Sequence, residues 1–243
     1  MGEGERSPRS EPWRARIKPV SARVPGTAVA VDVVVVSLDP HPDADRPVVL
    51  LRRRAGDPFA GAWSLPGSRV APEEDLTGAA HRVLRSHGGL GGARHLEQLA
   101  TFGHPDRDPR GRVVSVSYLA LLPRPTAAGD PTRWWHADDP PQLAFDHAEI
   151  LASALERLRG KLTYSNVAYG LLGDVFTLSD LQEVYTSVLG RPLDKRNFRR
   201  RVLSVGMVAE ADGQRRGSHR PAQLYRFATE ELVLLDDVIV TSC

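Results

Sequence analysis

The sequence predicts an α+β fold of two domains, with strands concentrated in the first half and short helices in the last third. Its 243 residues correspond to one or two domains at about 150 residues each. The run Ala28–Leu38 is rich in β-branched residues and predicts a mostly buried strand. After Lys161 the pattern changes to several short helices. We therefore expect domains at 26–158 and 160–228, a flexible tail at 1–25 and a C-terminal tail at 229–243.

The composition excludes several classes of protein. Hydrophobic residues make up 41% of the chain and charged residues 26%, which excludes a collagenous or wholly disordered chain. The longest apolar run, Val33–Val36, is far shorter than the ~20 residues that a membrane span requires. The single cysteine, Cys243, excludes a disulfide framework and a cysteine-based zinc site. We expect a cytoplasmic protein without a membrane partner.

In the first domain, the pattern predicts strands and two amphipathic helices. Apolar residues recur at helical spacing in Asp75–Ser86 and again in Phe145–Leu158. Prolines, glycines and aromatic residues make Pro58–Gly67 a loop. Further strands are expected at Val48–Arg52, Leu96–Phe102 and Val113–Leu122.

The C-terminal third has the element order of a winged helix-turn-helix. A first helix is expected at Tyr164–Leu172. Thr177 can cap a second helix, Leu178–Leu189, because its hydroxyl can accept a hydrogen bond from an orphan amide. Asp194 is placed to cap a third helix that runs to about Val205. Two strands then flank a loop rich in Gly and Arg: Met207–Ala211 and Gln223–Phe227.

The third of these helices carries an apolar seam and a cationic face. At about 100° per residue, Phe198 and Val202 fall on one side, whereas Arg196 and Arg200 fall on the opposite side. A solvated charged helix is the simplest interpretation. However, the charges have one sign and no Glu neutralises them at i±4. Arg and Asn are also the side chains that read guanine and adenine edges.

The distribution of charge also indicates DNA binding by the C-terminal domain. Residues 160–227 hold eleven Lys and Arg against six Asp and Glu, a net charge of +5, whereas the remainder carries −3. We therefore expect this domain to bind double-stranded DNA. The candidate contacts are Lys195, Arg196, Asn197, Arg199 and Arg200 on the helix, and Arg215, Arg216, Ser218, His219 and Arg220 in the loop.

The segment Ser64–Leu90 resembles the Nudix box, G-x5-E-x7-R-E-U-x-E-E-x-G-U, where U is aliphatic. Aligned without gaps, the box matches at Glu74, Arg82, Leu84, Gly89 and Leu90. Ser68 replaces the glycine, and Val83, Ser86 and His87 replace three glutamates. In Nudix enzymes a carboxylate cluster holds the Mg²⁺ that assists diphosphate hydrolysis, because Mg²⁺ prefers oxygen ligands. We therefore expect no catalytic residue, no metal ligand and no hydrolase activity.

Five segments in order resemble the Nudix-related transcriptional regulators of NAD metabolism, the NrtR family. They lie at 54–67, 101–121, 144–164, 193–203 and 220–227. The resemblance implies a Nudix α/β/α sandwich domain followed by a C-terminal winged helix-turn-helix domain. It also implies a homodimer, a palindromic DNA operator, repression of NAD-related genes and a nucleotide effector, usually ADP-ribose.

The resemblance also suggests an effector site. Arg54 could pair with a phosphate, and Arg107 and Arg110 would suit a diphosphate. Phe59 and Trp63 are candidates for stacking on a base, although either could belong to the core. The two loop arginines could instead hold their own loop through an Asp–Arg pair. The candidate ligand-binding set is Arg54, Phe59, Trp63, Arg107 and Arg110.

Two alternative functions remain open on the sequence. One is an active ADP-ribose or sugar-nucleotide pyrophosphatase, against which the missing glutamates argue. The other is a DNA-binding protein whose Nudix domain serves only for dimerisation. Whether the ligand releases or promotes DNA binding also remains open.

Overall fold

The structure is a computed structural model that describes residues 26–38, 46–87, 92–125, 128–215 and 221–240. Within these ranges a seven-stranded mixed sheet forms the first domain, in the order β3-β2-β1-β6-β5 with β4 beside β1 and β7 beside β2. β1 and β6 are parallel, and the other described pairs in this sheet are antiparallel. The strands are β1 (Ala28–Leu38), β2 (Pro47–Arg53), β3 (Trp63–Ser64), β4 (Gly67–Arg69), β5 (His95–Phe102), β6 (Val113–Leu121) and β7 (Thr132–His136).

Helices α1 (Leu76–Ser86) and α2 (His147–Tyr164) cover opposite faces of this sheet. Successive side chains of a strand point to opposite faces, so Val35 packs toward α1 whereas Val34 and Val36 pack toward α2. Strand β1 is therefore buried on both sides, which explains why almost every one of its residues is apolar. The predicted layered α/β domain is confirmed.

Helix α2 is longer than the sequence pattern predicted. The expected helix ended at Leu158, but the observed one continues to Tyr164. Lys161 interrupts the apolar pattern, yet its side chain is buried because its Nζ lies 2.5 Å from the Glu97 carboxylate. At Ser165 the backbone becomes extended, and the expected helix Tyr164–Leu172 is reduced to a 3-10 helix at Val167–Leu171.

The C-terminal domain has the predicted winged-helix order. It contains α3 (Leu178–Leu189), α4 (Lys195–Ser204), β8 (Val208–Arg215) and β9 (Ala222–Phe227). Thr177 and Asp180 form a capping box at α3, and Asp194 caps α4 by accepting from the Asn197 amide, as predicted. Tyr185, Phe198 and Phe227 belong to the same buried cluster that α2 forms with the sheet.

The C-terminal segment expected as a tail packs against the protein over 229–240. The side chain of Asn166 donates to the Glu231 carbonyl and accepts from the Val233 amide. The Leu235 amide donates to the Tyr164 carbonyl, 2.8 Å away, and Ile239 is almost fully buried. The segment is held because it satisfies backbone and side-chain groups at the C-terminal end of α2, which the sequence pattern does not reveal.

Three short strands were missed by the sequence analysis: β3, β4 and β7. The first two lie in and beside the segment expected as a loop, and their few residues do not give a period-2 pattern. The expected tail 1–25 lies outside the described residues. Within the described ranges, no helix has the length and apolar character to cross a membrane.

Candidate functional site: a polar cavity and a basic helix

A cavity of about 400 Å³ is lined by residues of β1, β2, β3, β4 and β6, by the loops at 54–57 and 107–110, and by the start of α2. Arg54, Arg107 and Arg110 line it, so three of the five predicted effector residues come together. The sequence analysis missed several other lining residues: Asp32, Arg52, Phe145 and His147.

Asp32 is a buried carboxylate at this cavity. The Ser115 hydroxyl donates to it at 2.6 Å, and the Arg107 guanidinium lies 3.5 Å away. A side chain at position 67 would overlap the Asp32 carboxylate, so Gly67 permits the close approach of β4 to β1. A lone acid within a valine-rich strand was the signal that could have identified this residue, because a buried charge requires partners.

Arg107 is held by two carboxylates. Its Nε and Nη2 atoms each donate to Asp146 at 2.7 Å, and Nη2 also approaches Asp32. Burial lowers the pKa of Arg107, but Asp146 and Asp32 outweigh that effect and raise it above its ordinary value. Arg107 therefore stays charged at the cavity wall although its side chain is almost fully buried.

Arg110 is paired within its own loop. Its Nε and Nη2 atoms donate to the Asp108 carboxylate at 2.9 and 2.7 Å, and its backbone amide donates to the same group at 3.0 Å. The hydrogen bonds from Arg110 hold the pKa of Asp108 below its ordinary value. The alternative that an Asp–Arg pair holds this loop is thus observed, and Arg110 lines the cavity at the same time.

Arg54 differs from the two loop arginines because its described hydrogen bonds go to carbonyl oxygens rather than to a carboxylate. Its Nε donates to the Pro58 carbonyl at 2.8 Å. Its guanidinium lies over the Phe145 ring, 4.6 Å from the centroid. Burial, followed by the charge on Arg110, lowers its pKa, but from the high starting value of arginine. Arg54 is therefore a cation at the cavity whose charge an anionic ligand could neutralise.

The two aromatic candidates lie outside the cavity lining, and Trp63 takes the alternative of a core residue. Phe59 is 45% exposed and packs edge-on against Phe145, with 5.0 Å between ring centroids. Trp63 packs against Trp135 and the α2-side core. Neither residue is among those that line the cavity, whereas Phe145 is. Phe59 and Phe145 also adopt positive φ angles of 63° and 57°, a sparsely populated conformation that concentrates at ligand sites.

His147 is a buried, neutral group in the wall of the cavity. Its Nδ1 accepts from the Leu65 amide at 2.9 Å, so the proton is on Nε2, which faces Asp32 at 3.6 Å. Burial lowers the pKa of His147 despite the raising effect of Asp32 and Asp146. The imidazole thus positions the loop before β4 and does not add charge to the cavity.

The residues at Nudix-box positions in and before α1 contact one another or pack in the core. Arg82 donates to both carboxylate oxygens of Glu74, at 2.7 and 2.6 Å, and also to the Ser68 hydroxyl. Hydrogen bonding to Arg82 lowers the pKa of Glu74 to about 2. Val83, at a glutamate position of the box, is fully buried in the core.

The other two departures from the box lie at the C-terminal end of α1. His87 accepts at Nε2 from Arg52, and its Nδ1 lies 2.7 Å from the Val83 carbonyl. Burial lowers the pKa of His87, and the charge on Arg52 acts in the same direction. Within the part of the chain that the structure describes, three or more His, Cys, Asp or Glu residues do not gather anywhere in a metal-binding cluster.

The basic face of α4 is exposed. Phe198 and Val202 are buried, which places the five predicted DNA contacts of this helix on the solvent side: Lys195, Arg196, Asn197, Arg199 and Arg200. Arg200 donates to the Asn197 side chain at 3.2 Å. This contact pre-orients two side chains that can form bidentate bonds with base edges.

A second set of contacts joins the predicted wing and α4 to α3. Arg215 donates to the Asp180 carboxylate at 2.8 Å, and Arg199 donates to the Ser179 hydroxyl at 3.1 Å. Both arginines are thereby drawn toward the N-terminal end of α3. The remaining predicted wing residues, Arg216, Ser218, His219 and Arg220, lie outside the described residues.

Two family models match the chain, in the order of its two domains. The NUDIX domain matches residues 27–157, and the NrtR DNA-binding winged helix domain matches residues 168–227.

The chain is also similar to proteins of known name or structure, two of which match over more than four fifths of its length. The chain is 36% identical over 216 residues to the ADPR responsive transcriptional repressor NtrR of Acinetobacter baylyi, covering 85% of this chain and 84% of the relative. The crystal structure of Shewanella oneidensis NrtR complexed with a 27mer DNA superposes with a TM-score of 0.73 at 33% identity, covering 82% of this chain and 93% of that one. An ADP-ribose pyrophosphatase of Methanocaldococcus jannaschii is 32% identical over 128 residues, covering 51% of this chain and 70% of the relative.

The pH dependence of stability tests the neutral state of His147. The unfolded imidazole takes up a proton near pH 6.5, whereas the folded one, whose pKa is lowered, does not. Its contribution therefore destabilises the fold as the pH falls below about 6.5, by up to about 1.4 kcal/mol per pH unit. In His147→Asn the amide oxygen can still accept from the Leu65 amide. In this variant, the free energy of unfolding measured with urea should fall less steeply between pH 7 and pH 5.5 than in the wild type. An unchanged slope would contradict the assignment.

Proposed function

This chain belongs to the NrtR family, and we propose that it is a transcriptional repressor of NAD-related genes whose Nudix domain senses ADP-ribose or a related nucleotide. The proposal has three parts: DNA binding by the winged helix, effector binding in the cavity, and loss of hydrolysis. The observation that supports DNA binding is the exposed face of α4, which presents only positive charges within a winged-helix domain.

DNA recognition divides between α4 and the wing. Arg196 and Arg200 face solvent and suit base edges in the major groove, since a recognition helix enters that groove. Arg215 is drawn to the N-terminal end of α3, and its position suits the phosphate backbone. In a homodimer, two such helices about 34 Å apart would meet successive half-sites of a palindromic operator.

The cavity suits a nucleoside diphosphate because three arginines line it and can bind phosphate oxygens. The three differ in whether a carboxylate already pairs with them. Arg54 lacks a described carboxylate partner and would meet a phosphate directly. Arg107 and Arg110 already have carboxylate partners but remain at the wall, where they can share charge with the same anion. Phe145, with its ring in the lining, is a better candidate for an aromatic contact than Trp63.

We expect no hydrolysis because α1, the helix that carries the metal-binding glutamates in Nudix enzymes, lacks them here. Val83 is buried and cannot ligate a metal, while Ser86 and His87 are poor Mg²⁺ ligands. Glu74, which matches the box, is engaged by Arg82 through both oxygens. The similarity to an archaeal ADP-ribose pyrophosphatase favours a second candidate, an active hydrolase.

Alanine at Arg196 or Arg200 should weaken binding to the operator by about 1–3 kcal/mol if either side chain reads a base. The measurement is a gel shift on duplex DNA from upstream of the gene and its neighbours. Arg215→Ala should weaken binding evenly across sequences and reduce the salt slope. Arg85→Ala, which removes an exposed charge from α1, is the control. Wild-type affinity in both helix variants would contradict the assignment of the recognition helix.

ADP-ribose should lower operator affinity by roughly 5–150-fold, the usual range of a coupling between two sites. Calorimetry should detect its binding, and Arg54→Ala should weaken that binding about tenfold or more, because a charge-assisted hydrogen bond is lost. Arg124→Ala, an exposed arginine away from the cavity lining, is the control. Binding without any change in operator affinity would leave a ligand site but remove the switch.

Incubation of ADP-ribose with the protein and Mg²⁺ or Mn²⁺ should release no phosphate-containing product above background, because the carboxylate cluster is missing. The measurement is a colorimetric phosphate assay after phosphatase treatment. Glu74→Gln is the diagnostic variant. Clear turnover that this substitution abolishes would establish the hydrolase instead.

A further inference from the structure

The ion pair between Arg107 and Asp146 joins the cavity to helix α2. Arg107 belongs to the loop before β6 and lines the cavity, whereas Asp146 is the residue that immediately precedes α2. The two side chains meet through two hydrogen bonds of 2.7 Å, although 39 positions separate them in the sequence. A change in the partner of Arg107 would therefore be felt at the first turn of α2.

Both members of this pair are withdrawn from water. The side chain of Arg107 is 4% exposed and that of Asp146 is 14% exposed. Breaking such a pair is costly unless each charge finds another partner. For Arg107 the other partner is at hand, because a phosphate in the cavity would present a negative charge to the same guanidinium.

Asp146 also has an alternative partner, which the other helices reveal. Asp75, Thr177 and Asp194 each cap their helix by accepting a hydrogen bond from one of its first amides. Asp146 occupies the same sequence position before α2, yet its side chain makes no capping hydrogen bond while Arg107 engages both of its oxygens. Its ψ angle of 19° also differs from the extended backbone of the other three residues, so capping by Asp146 requires a change of its backbone as well as its release from Arg107. A carboxylate at this position is stabilised by helix amides and by the helix dipole.

The far end of α2 bears on the DNA-binding domain. Arg159 donates to the Val188 carbonyl at the end of α3. The carbonyls of Thr163 and Tyr164 accept from the segment 229–240, which in turn accepts at Val238 from Arg201 of the recognition helix. A movement of α2 can thus reach α3 directly, and α4 through the segment 229–240.

We infer that the effector's diphosphate competes with Asp146 for Arg107, and that Asp146, once released, caps α2. The inference rests on the proposed function, since it specifies how the effector site acts on the operator. The state with the Arg107–Asp146 pair intact is the one that binds DNA. The ligand can shift the balance only by the difference in its affinity for the two states. Asp146 is a positioning residue and does not itself contact the effector.

Asp146→Asn tests this exchange, because asparagine caps a helix well but cannot pair with Arg107 as an anion. We expect ADP-ribose to bind at least about fivefold more tightly and the operator to bind at least about fivefold more weakly. The effect of ADP-ribose on operator affinity should fall below about twofold. The fivefold changes correspond to the lower end of ordinary coupling between two sites. Asp146→Ser, which also caps, should behave in the same way.

Asp174→Asn is the matched control. It removes the same charge next to another arginine, Arg94, and neither residue is among those that line the cavity. Both affinities should stay within twofold of wild type. Thermal unfolding of all variants shows whether a substitution damages the fold. Tighter binding of ADP-ribose is a second criterion, because a damaged fold would weaken that binding.

The outcomes distinguish this inference from the proposed function. If the wild-type chain does not bind ADP-ribose, the proposed effector and this exchange fall together. If the wild type releases DNA on adding ADP-ribose and both Asp146 variants do so by the same factor, only the exchange is overturned. Weaker binding of ADP-ribose by both variants would also overturn it.

Discussion

Burial of helix α2 against both the sheet and the winged helix is the constraint on which the rest of the structure depends. One hydrophobic cluster runs from Val34 and Val36 of β1, through Ile150 and Leu158 of α2, to Phe198 of α4. Each such side chain contributes roughly 1.5–3 kcal/mol when fully buried. The two domains therefore share a core, and α2 contributes to it along with the sheet and the winged helix. A helix shared by both domains allows ligand binding in the cavity of one domain to affect the DNA-binding domain.

The second organising feature is the balance of charge at the cavity. The carboxylates of Asp146 and Asp108 position the guanidinium groups of Arg107 and Arg110 before any ligand arrives, and in our inference the ligand then replaces Asp146 at Arg107. Arg54, whose described hydrogen bonds go only to carbonyl oxygens, adds a charge beside them that no carboxylate engages through a described hydrogen bond. A pre-organised site loses little side-chain entropy on binding. In catalytic Nudix sites a metal neutralises the diphosphate; here arginines take that role in our proposal, which agrees with the residues that replace the glutamates of the box.

The sequence predicted the strands and helices with strong periodicity, and the caps at Thr177 and Asp194, because these depend on local residues. It also identified the three arginines of the cavity through resemblance. It missed Asp32 and Asp146, which become neighbours of Arg107 only when segments 75 and 39 positions away fold together. Trp63 shows the same limit, since an aromatic residue in a loop can stack on a ligand or join the core, and only the position of Trp135 decides.

Hydrogen exchange with and without ADP-ribose tests the role of α2 most directly, because it reports each backbone amide separately. On addition of ADP-ribose in the absence of DNA, the account predicts changed exchange at both ends of α2. The affected amides are those of residues 147–150 and, at the far end, those of Leu235 and Ile239, which donate to the last carbonyls of the helix. Changes confined to the cavity loops at 54–69 and 107–113 would contradict transmission through this helix.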